Sequence, residues 1–175
     1  MKTFLDRLAE GTVVFDGAMG TMLYARGVFL NRCFDELNLS NPGLVRQVHD
    51  EYLEAGADVI ETNTFGAHRF KLGPHGLEAQ VRKINREGAR IAREAAKGRA
   101  LVAGAIGPMG KPLAPIGNVR LEEAQDAYRE QMKGLDEQVQ EIKSDVLGIS
   151  QELSRLEEKL LYPSGTQVAV FIAVA

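Results

Sequence analysis

Short apolar runs alternate with longer stretches of helical periodicity over most of this chain. The runs from Thr12 to Phe15, Asp58 to Thr62 and Ala100 to Ala105 are short and largely apolar, and they predict strands. The stretches between them carry apolar residues three and four positions apart and predict helices. Strands that alternate with helices pair in parallel through right-handed crossovers, so the pattern predicts an α/β fold.

Capping residues mark where the helices begin and end. Asn41-Pro42 supplies an N-cap followed by proline at the first helical position, and this helix is expected to end at Gly56. A second helix is predicted from about Leu77 to Lys97. A third is expected to begin after Asn118, which can act as its N-cap.

After Tyr128 the apolar positions recur in alternating steps of four and three residues, which is the spacing of a coiled-coil seam. A second interpretation is a long helix that lies on its own domain, although such helices usually show a wider apolar stripe. The first interpretation predicts self-association through Leu135, Val139, Ile142, Val146, Ile149, Leu153, Leu156 and Leu160.

The sequence pattern changes once more at the end of the chain. Tyr162-Pro163 ends the predicted helix, and Thr166 to Ala175 is an uncharged, β-branched run. This run predicts either an aggregation-prone tail or a strand that pairs with a bare sheet edge, more readily in another subunit. The expected organisation is a βα segment over residues 1–135, a coiled-coil helix over 136–161, and a turn with an apolar tail over 162–175.

Composition narrows the possible partners. A net charge of −3 and a pI near 5.7 give no electrostatic reason to expect nucleic acid. No apolar run reaches the length of about 20 residues that spans a bilayer, and charges interrupt the N-terminal stretch, so we expect no membrane association and a cytoplasmic protein. The single cysteine, Cys33, fits a reducing compartment and is expected to be an inert thiol.

Candidate chemistry lies at two strand ends. The loop Asp16-Gly17-Ala18-Met19-Gly20 follows the first strand, and its glycines would allow backbone N–H groups to converge on a carboxylate or phosphate. The second strand passes into polar residues at its C-terminal end, where parallel α/β folds place their sites. A plain tight turn, with Asp16 as a cap, is the simpler alternative. The candidate substrate-binding residues are Asp16, Gly17, Ala18, Met19, Gly20, Glu61, Asn63 and Thr64.

Together with Ala103-Gly104-Ala105-Ile106-Gly107-Pro108 and Tyr128-Arg129-Glu130-Gln131, these stretches resemble the homocysteine S-methyltransferase family, which includes the homocysteine module of methionine synthases. The resemblance runs from about Thr12 to Leu135. It implies an incomplete (β/α)8 TIM-barrel-like segment of about three βα units, an N-terminal portion of a methyltransferase that converts homocysteine to methionine. The loop Asp16 to Gly20 would receive the substrate carboxylate.

The resemblance also implies a zinc ion held by three cysteine thiolates from late strands, which would activate the homocysteine thiol. This chain lacks those cysteines, and Cys33 matches no ligand position of the family. The family's glutamate on strand four and asparagine on strand six are missing as well. We therefore expect no metal site and no cofactor in this chain, weak binding of homocysteine at most, and no activity by the chain alone.

Two other functions are compatible with the sequence. The heptads could be the working part of an oligomerisation or interaction protein, and a chimera or a frameshifted product would also give this pattern. An unrelated α/β enzyme could bind a phosphorylated substrate at Asp16 to Thr21, although that loop contains no basic residue. His68 and His75 are expected to be solvated loop histidines rather than metal ligands.

Overall fold

The computed structural model describes residues 3–136 and the backbone of residues 168–171. The helices of these residues are α1 (Phe4–Glu10), α2 (Met19–Ala25), α3 (Leu37–Ser40), α4 (Pro42–Glu54), α5 (Arg69–Leu72), α6 (Val81–Ala96) and α7 (Leu121–Asp136), with two short 3-10 helices at Gly73–His75 and Glu78–Gln80. The strands are β1 (Val59–Glu61), β2 (Leu101–Ile106) and β3 (Val168–Phe171).

The strands form one sheet in the order β1-β2-β3. β1 and β2 are parallel, with Val59 opposite Leu101, and α6 lies between them in the chain. This βαβ unit confirms the predicted α/β alternation. β3 pairs antiparallel with β2, with Ala103 opposite Phe171.

The first predicted strand is reduced to a single bridge, between Phe15 and Val59. The Val14 carbonyl accepts the N–H groups of Asp58 and Val59 at 2.8 and 3.1 Å. The Val14 N–H instead donates to the Asp58 carboxylate at 3.0 Å, so a side chain takes the place of a backbone acceptor. The prediction of a strand from Thr12 to Phe15 was therefore wrong in extent but right about the parallel direction of pairing.

The helix predicted after Asn41 is confirmed as α4, because the Asn41 side chain accepts the Leu44 N–H at 3.3 Å. Gly56 follows its C-terminal end with φ of 98°, a conformation that favours glycine. α6 begins at Val81 rather than at the predicted Leu77, since Glu78–Gln80 form a 3-10 turn.

The third predicted helix, α7, begins at Leu121, later than Asn118 would allow. The preceding residues form a compact loop in which Leu113 bridges Val119 and the Ala114 N–H donates to the Val119 carbonyl at 2.8 Å. These contacts keep Val119 out of the helix.

The core lies on both faces of the sheet. On one face Ile60 packs with the alanines of α6, namely Ala92, Ala95 and Ala96. On the other face Val59, Leu101 and Ala103 pack against Phe4, Val13 and Phe15, so α1 and the segment after it cover this side. Among the described residues no helix is both long and apolar enough to cross a membrane.

α7 packs on its own domain over the part that the structure describes. Its buried residues are Ala124, Ala127, Gln131, Gly134 and Leu135. Gly134 permits close contact with α6, because a Cβ there would lie 2.9 Å from the Arg82 carbonyl oxygen. Leu135, predicted as the first residue of a self-association seam, is only 2% exposed within the single chain. That role is therefore wrong for Leu135, and the other seam positions, Val139 to Leu160, lie outside the described residues.

We expect β3 to protect the edge of β2 within the chain, whereas the sequence favoured an edge in another subunit. Deleting Thr166 to Ala175 should expose this edge and lower the amide hydrogen-exchange protection of Ala103 to Ile106, because unpaired strand edges exchange and associate readily. Removing only the four residues 172–175 is the matched control. Unchanged protection and an unchanged elution volume after the longer deletion would contradict the role of β3.

Candidate functional site

Asp16 and Glu61 lie side by side at the carboxyl ends of adjacent extended segments. The Asp16 N–H donates to the Val59 carbonyl at 2.9 Å, which continues the pairing begun at Phe15. The two carboxylate oxygens of Asp16 both accept the Glu61 N–H, at 3.1 and 3.0 Å. The structure thus brings together two of the predicted site residues, because the Asp16 carboxylate accepts the N–H of Glu61, the last residue of β1.

Burial raises the pKa of Asp16 to about 7, the N–H bond from Glu61 opposes this, and the charge of Glu61 adds to it. The Asp16 carboxyl is therefore partly protonated near neutral pH. A cation bound beside it would favour the charged form and lower its pKa.

This raised pKa predicts a pH-dependent stability. A group with a folded-state pKa above its unfolded value contributes stability that is complete below about pH 4 and is lost as the pH rises through about 7. The free energy of unfolding of the wild-type chain minus that of Asp16→Asn should therefore be smaller at pH 8 than at pH 5. Urea unfolding of both chains measures this difference. Glu61→Gln should shrink this difference by removing a neighbouring charge, and parallel profiles for wild type and Asp16→Asn would contradict the assignment.

The loop from Asp16 to Gly20 uses its glycines for close approach rather than for a left-handed turn. Neither Gly17 nor Gly20 has a positive φ, so neither glycine is needed for a left-handed backbone conformation. A Cβ at Gly17 would lie 2.8 Å from the Tyr52 hydroxyl, and one at Gly20 would lie 3.3 Å from the Phe34 ring. The loop passes directly into α2 with Ala18 as N-cap, so Met19 and Gly20 stand in the first helical turn, where N–H groups lack intrahelical acceptors.

Asn63 and Thr64 belong to a buried hydrogen-bond network. The Asn63 amide donates to the Phe34 carbonyl at 2.8 Å and to Asn38 Oδ1 at 3.1 Å. The Thr64 hydroxyl donates to the Ala105 carbonyl at 2.8 Å. With 6% and 0% of their surfaces exposed, these side chains hold the loop after β1 in place. Both side chains are thus engaged in hydrogen bonds within the chain.

Asn38 is the centre of this network and was not singled out from the sequence. Its amide donates to the Asn63 carbonyl at 2.7 Å and to the Ile84 carbonyl at 3.1 Å, joining α3, the loop after β1 and α6. A polar residue between apolar neighbours in a short helix was the available signal.

The stretch Tyr128-Arg129-Glu130-Gln131 of α7 contacts the loops that follow β1 and β2. The Gln131 amide donates to the Thr64 carbonyl at 2.7 Å, and Glu130 pairs with Arg69 at 2.6 Å. The Tyr128 hydroxyl donates to the Gly107 carbonyl at 3.4 Å. This stretch of α7 therefore holds the segments that follow β1 and β2.

His68 is fully buried beside Tyr128 and Phe70, so the prediction of a solvated histidine was wrong for this residue. Burial lowers its pKa to about 4, which keeps the ring neutral at physiological pH. His75 is exposed, as predicted.

The donor atoms of the described residues do not fit a zinc ion held by three thiolates. Cys33 is the only cysteine in the sequence, and its sulfur lies 3.9 Å from Asp35 Oδ2. Burial and the charge of Asp35 raise the pKa of the Cys33 thiol to about 11, the opposite of what a metal-binding thiolate requires. Over residues 3–136 no three His, Cys, Asp or Glu side chains converge as a metal site would need.

The parallel βαβ unit, with polar residues at its strand ends, defines the class as an α/β protein. The chain belongs to the homocysteine S-methyltransferase family, whose sequence profile matches residues 13–161. This match continues beyond Leu135, where the motifs quoted for the resemblance stop.

Two curated relatives are methionine synthases. The chain is 35% identical over 143 residues to methionine synthase of Mycobacterium tuberculosis and 34% identical over 143 residues to that of Mycobacterium leprae. Each alignment covers 75% of this chain and 12% of the relative. The chain thus spans a small part of these proteins.

Two solved structures of the homocysteine methyltransferase MmuM from Escherichia coli share the fold. The metallated form matches with a TM-score of 0.63 and 28% identity, over 75% of this chain and 52% of that one. The oxidized form matches with a TM-score of 0.65 and 27% identity, over 77% of this chain and 53% of that one. The chain spans about half the length of MmuM.

Proposed function

We propose that this chain carries the amino-acid-binding part of a homocysteine S-methyltransferase and binds homocysteine without activating its thiol. The observation that supports this function most is the position of the Asp16 and Glu61 carboxylates at adjacent strand ends, directly before the first turn of α2. Negative charge beside a set of backbone N–H groups suits the two ends of an amino-acid zwitterion.

Each end of the ligand has a physical reason to bind. The substrate carboxylate would accept N–H groups from the loop Asp16 to Gly20, where the helix start favours negative charge. The substrate ammonium would lie beside Asp16 and Glu61, and it would compensate the cost of burying the Asp16 carboxylate. Asn63 and Thr64 would support this arrangement from the buried network rather than contact the ligand.

The geometry gives less support to the two alternatives. A phosphorylated substrate would carry negative charge toward Asp16 and Glu61, which would repel it. An interaction protein built on the heptads would depend on residues after Asp136, and the one described seam residue, Leu135, is buried in its own chain.

Calorimetric titration of the chain with L-homocysteine tests the proposal. We expect weak binding, with a Kd of about 1 mM, and a loss of about tenfold or more in Asp16→Asn, because an ion pair with the ammonium is removed. Asp126→Asn, on the exposed side of α7, is the matched control. Absence of binding by the wild-type chain, or equal affinity in Asp16→Asn, would contradict the proposal.

A further inference from the structure

Tyr52 of α4 contacts the candidate carboxylate-binding loop at two consecutive residues. Its hydroxyl donates to the Ala18 carbonyl at 3.4 Å. The same oxygen lies 2.8 Å from the position that a Cβ on Gly17 would take, and two ring carbons lie at 3.2 and 3.3 Å. The absence of a side chain at Gly17 is what lets the hydroxyl reach the loop.

Glu51, the residue before Tyr52, contacts the C-terminal end of α2. The Arg26 guanidinium pairs with the Glu51 carboxylate, and it also donates to the Met22 carbonyl at 2.7 Å. Two neighbouring residues of α4 therefore contact both ends of a seven-residue helix. Because α4 is itself packed in the core through Val45 and Val48, it offers a fixed reference for the loop.

We propose that Tyr52 is a positioning residue, which sets the backbone of Gly17 and Ala18 and thereby aims the N–H groups of this loop at the substrate carboxylate. This inference rests on the proposed function. Burial and, to a smaller extent, the charge of Asp16 raise the pKa of Tyr52, so the hydroxyl stays protonated and able to donate at neutral pH. The arrangement assigns Tyr52 to recognition of the carboxylate, without contact to the ligand.

Two ligands that differ only in the carboxylate separate this role from a general structural one. L-Homocysteine carries the carboxylate, and 3-aminopropane-1-thiol lacks it. In Tyr52→Phe we expect the affinity for L-homocysteine to fall by about three- to tenfold, the usual effect of one lost hydrogen bond, with no change for 3-aminopropane-1-thiol. Tyr24→Phe is the matched control, because Tyr24 lies on α2 and is 54% exposed.

A second pair of variants tests the contact itself. Gly17→Ala places a methyl group against the Tyr52 hydroxyl, so it should weaken L-homocysteine binding in the wild-type background. Tyr52→Phe removes the oxygen that lies 2.8 Å from this methyl group, so Gly17→Ala should weaken L-homocysteine binding less in the Tyr52→Phe background than in the wild type. Additive effects of the two changes would overturn the coupling between Gly17 and Tyr52.

The outcomes distinguish this inference from the proposed function. Binding by the wild-type chain with equal affinity in Tyr52→Phe, or an equal loss for both ligands, overturns the inference alone. No binding by the wild-type chain overturns the proposed function. In that case the backbone amide chemical shifts of Gly17, Ala18 and Met19 test whether Tyr52 positions this loop. Unchanged shifts in Tyr52→Phe would overturn the positioning role, and changed shifts would support it.

Discussion

Replacing Gly88 with alanine should lower the free energy of unfolding by about 3 kcal/mol, the upper range for overpacking a buried site. A Cβ at Gly88 would lie 2.6 Å from Asn38 Nδ2 and 2.7 Å from Thr64 Cγ2. The Asn38 amide cannot move away without losing its bonds to the Asn63 and Ile84 carbonyls. The higher helix propensity of alanine, worth about 1 kcal/mol, would offset only part of this cost.

Gly43→Ala is the matched control, because it makes the same change in a helix. No atom lies within 4 Å of a Cβ at Gly43, which lies in the first turn of α4, so this variant should gain at most about 0.5 kcal/mol from helix propensity. Urea unfolding of both variants measures the contrast. Equal and small effects would show that the contact between α3, α6 and the loop after β1 is looser than the structure indicates.

The local signals in the sequence predicted the elements that depend on them. Asn41-Pro42 and Gly56 marked the two ends of α4, since capping and left-handed residues act within a few positions. The apolar runs before Glu61 and Gly107 located the two parallel strands. The juxtaposition of Asp16 and Glu61 followed from these, because the ends of parallel strands meet at one edge.

Features that depend on distant contacts could not be predicted in the same way. The first strand is short because the Asp58 carboxylate, 44 positions away, binds the Val14 N–H. His68 is buried because α7 brings Tyr128 over it. The packing of Tyr52 against Gly17 joins α4 to a loop 35 positions earlier, and no pattern within that loop indicates this contact.

We expect the purified chain to hold no stoichiometric zinc and to form no methionine from homocysteine with any methyl donor. The zinc site that the family resemblance implies needs three thiolates, and this chain has one cysteine, with a pKa raised to about 11. A bound homocysteine thiol without a metal would keep a pKa near 8.5, the usual value for a cysteine-like thiol. Only about 3% would then be the nucleophilic thiolate at pH 7.

Metal analysis and a methionine assay measure both parts of this expectation. Cys33→Ser serves as the matched variant, since it removes the one thiol while leaving the Asp16 and Glu61 site untouched. A tightly bound zinc ion that is lost in Cys33→Ser would make Cys33 a ligand and would indicate a site completed between subunits. Methionine formation above background would contradict the proposal that this chain binds its amino acid without activating the thiol.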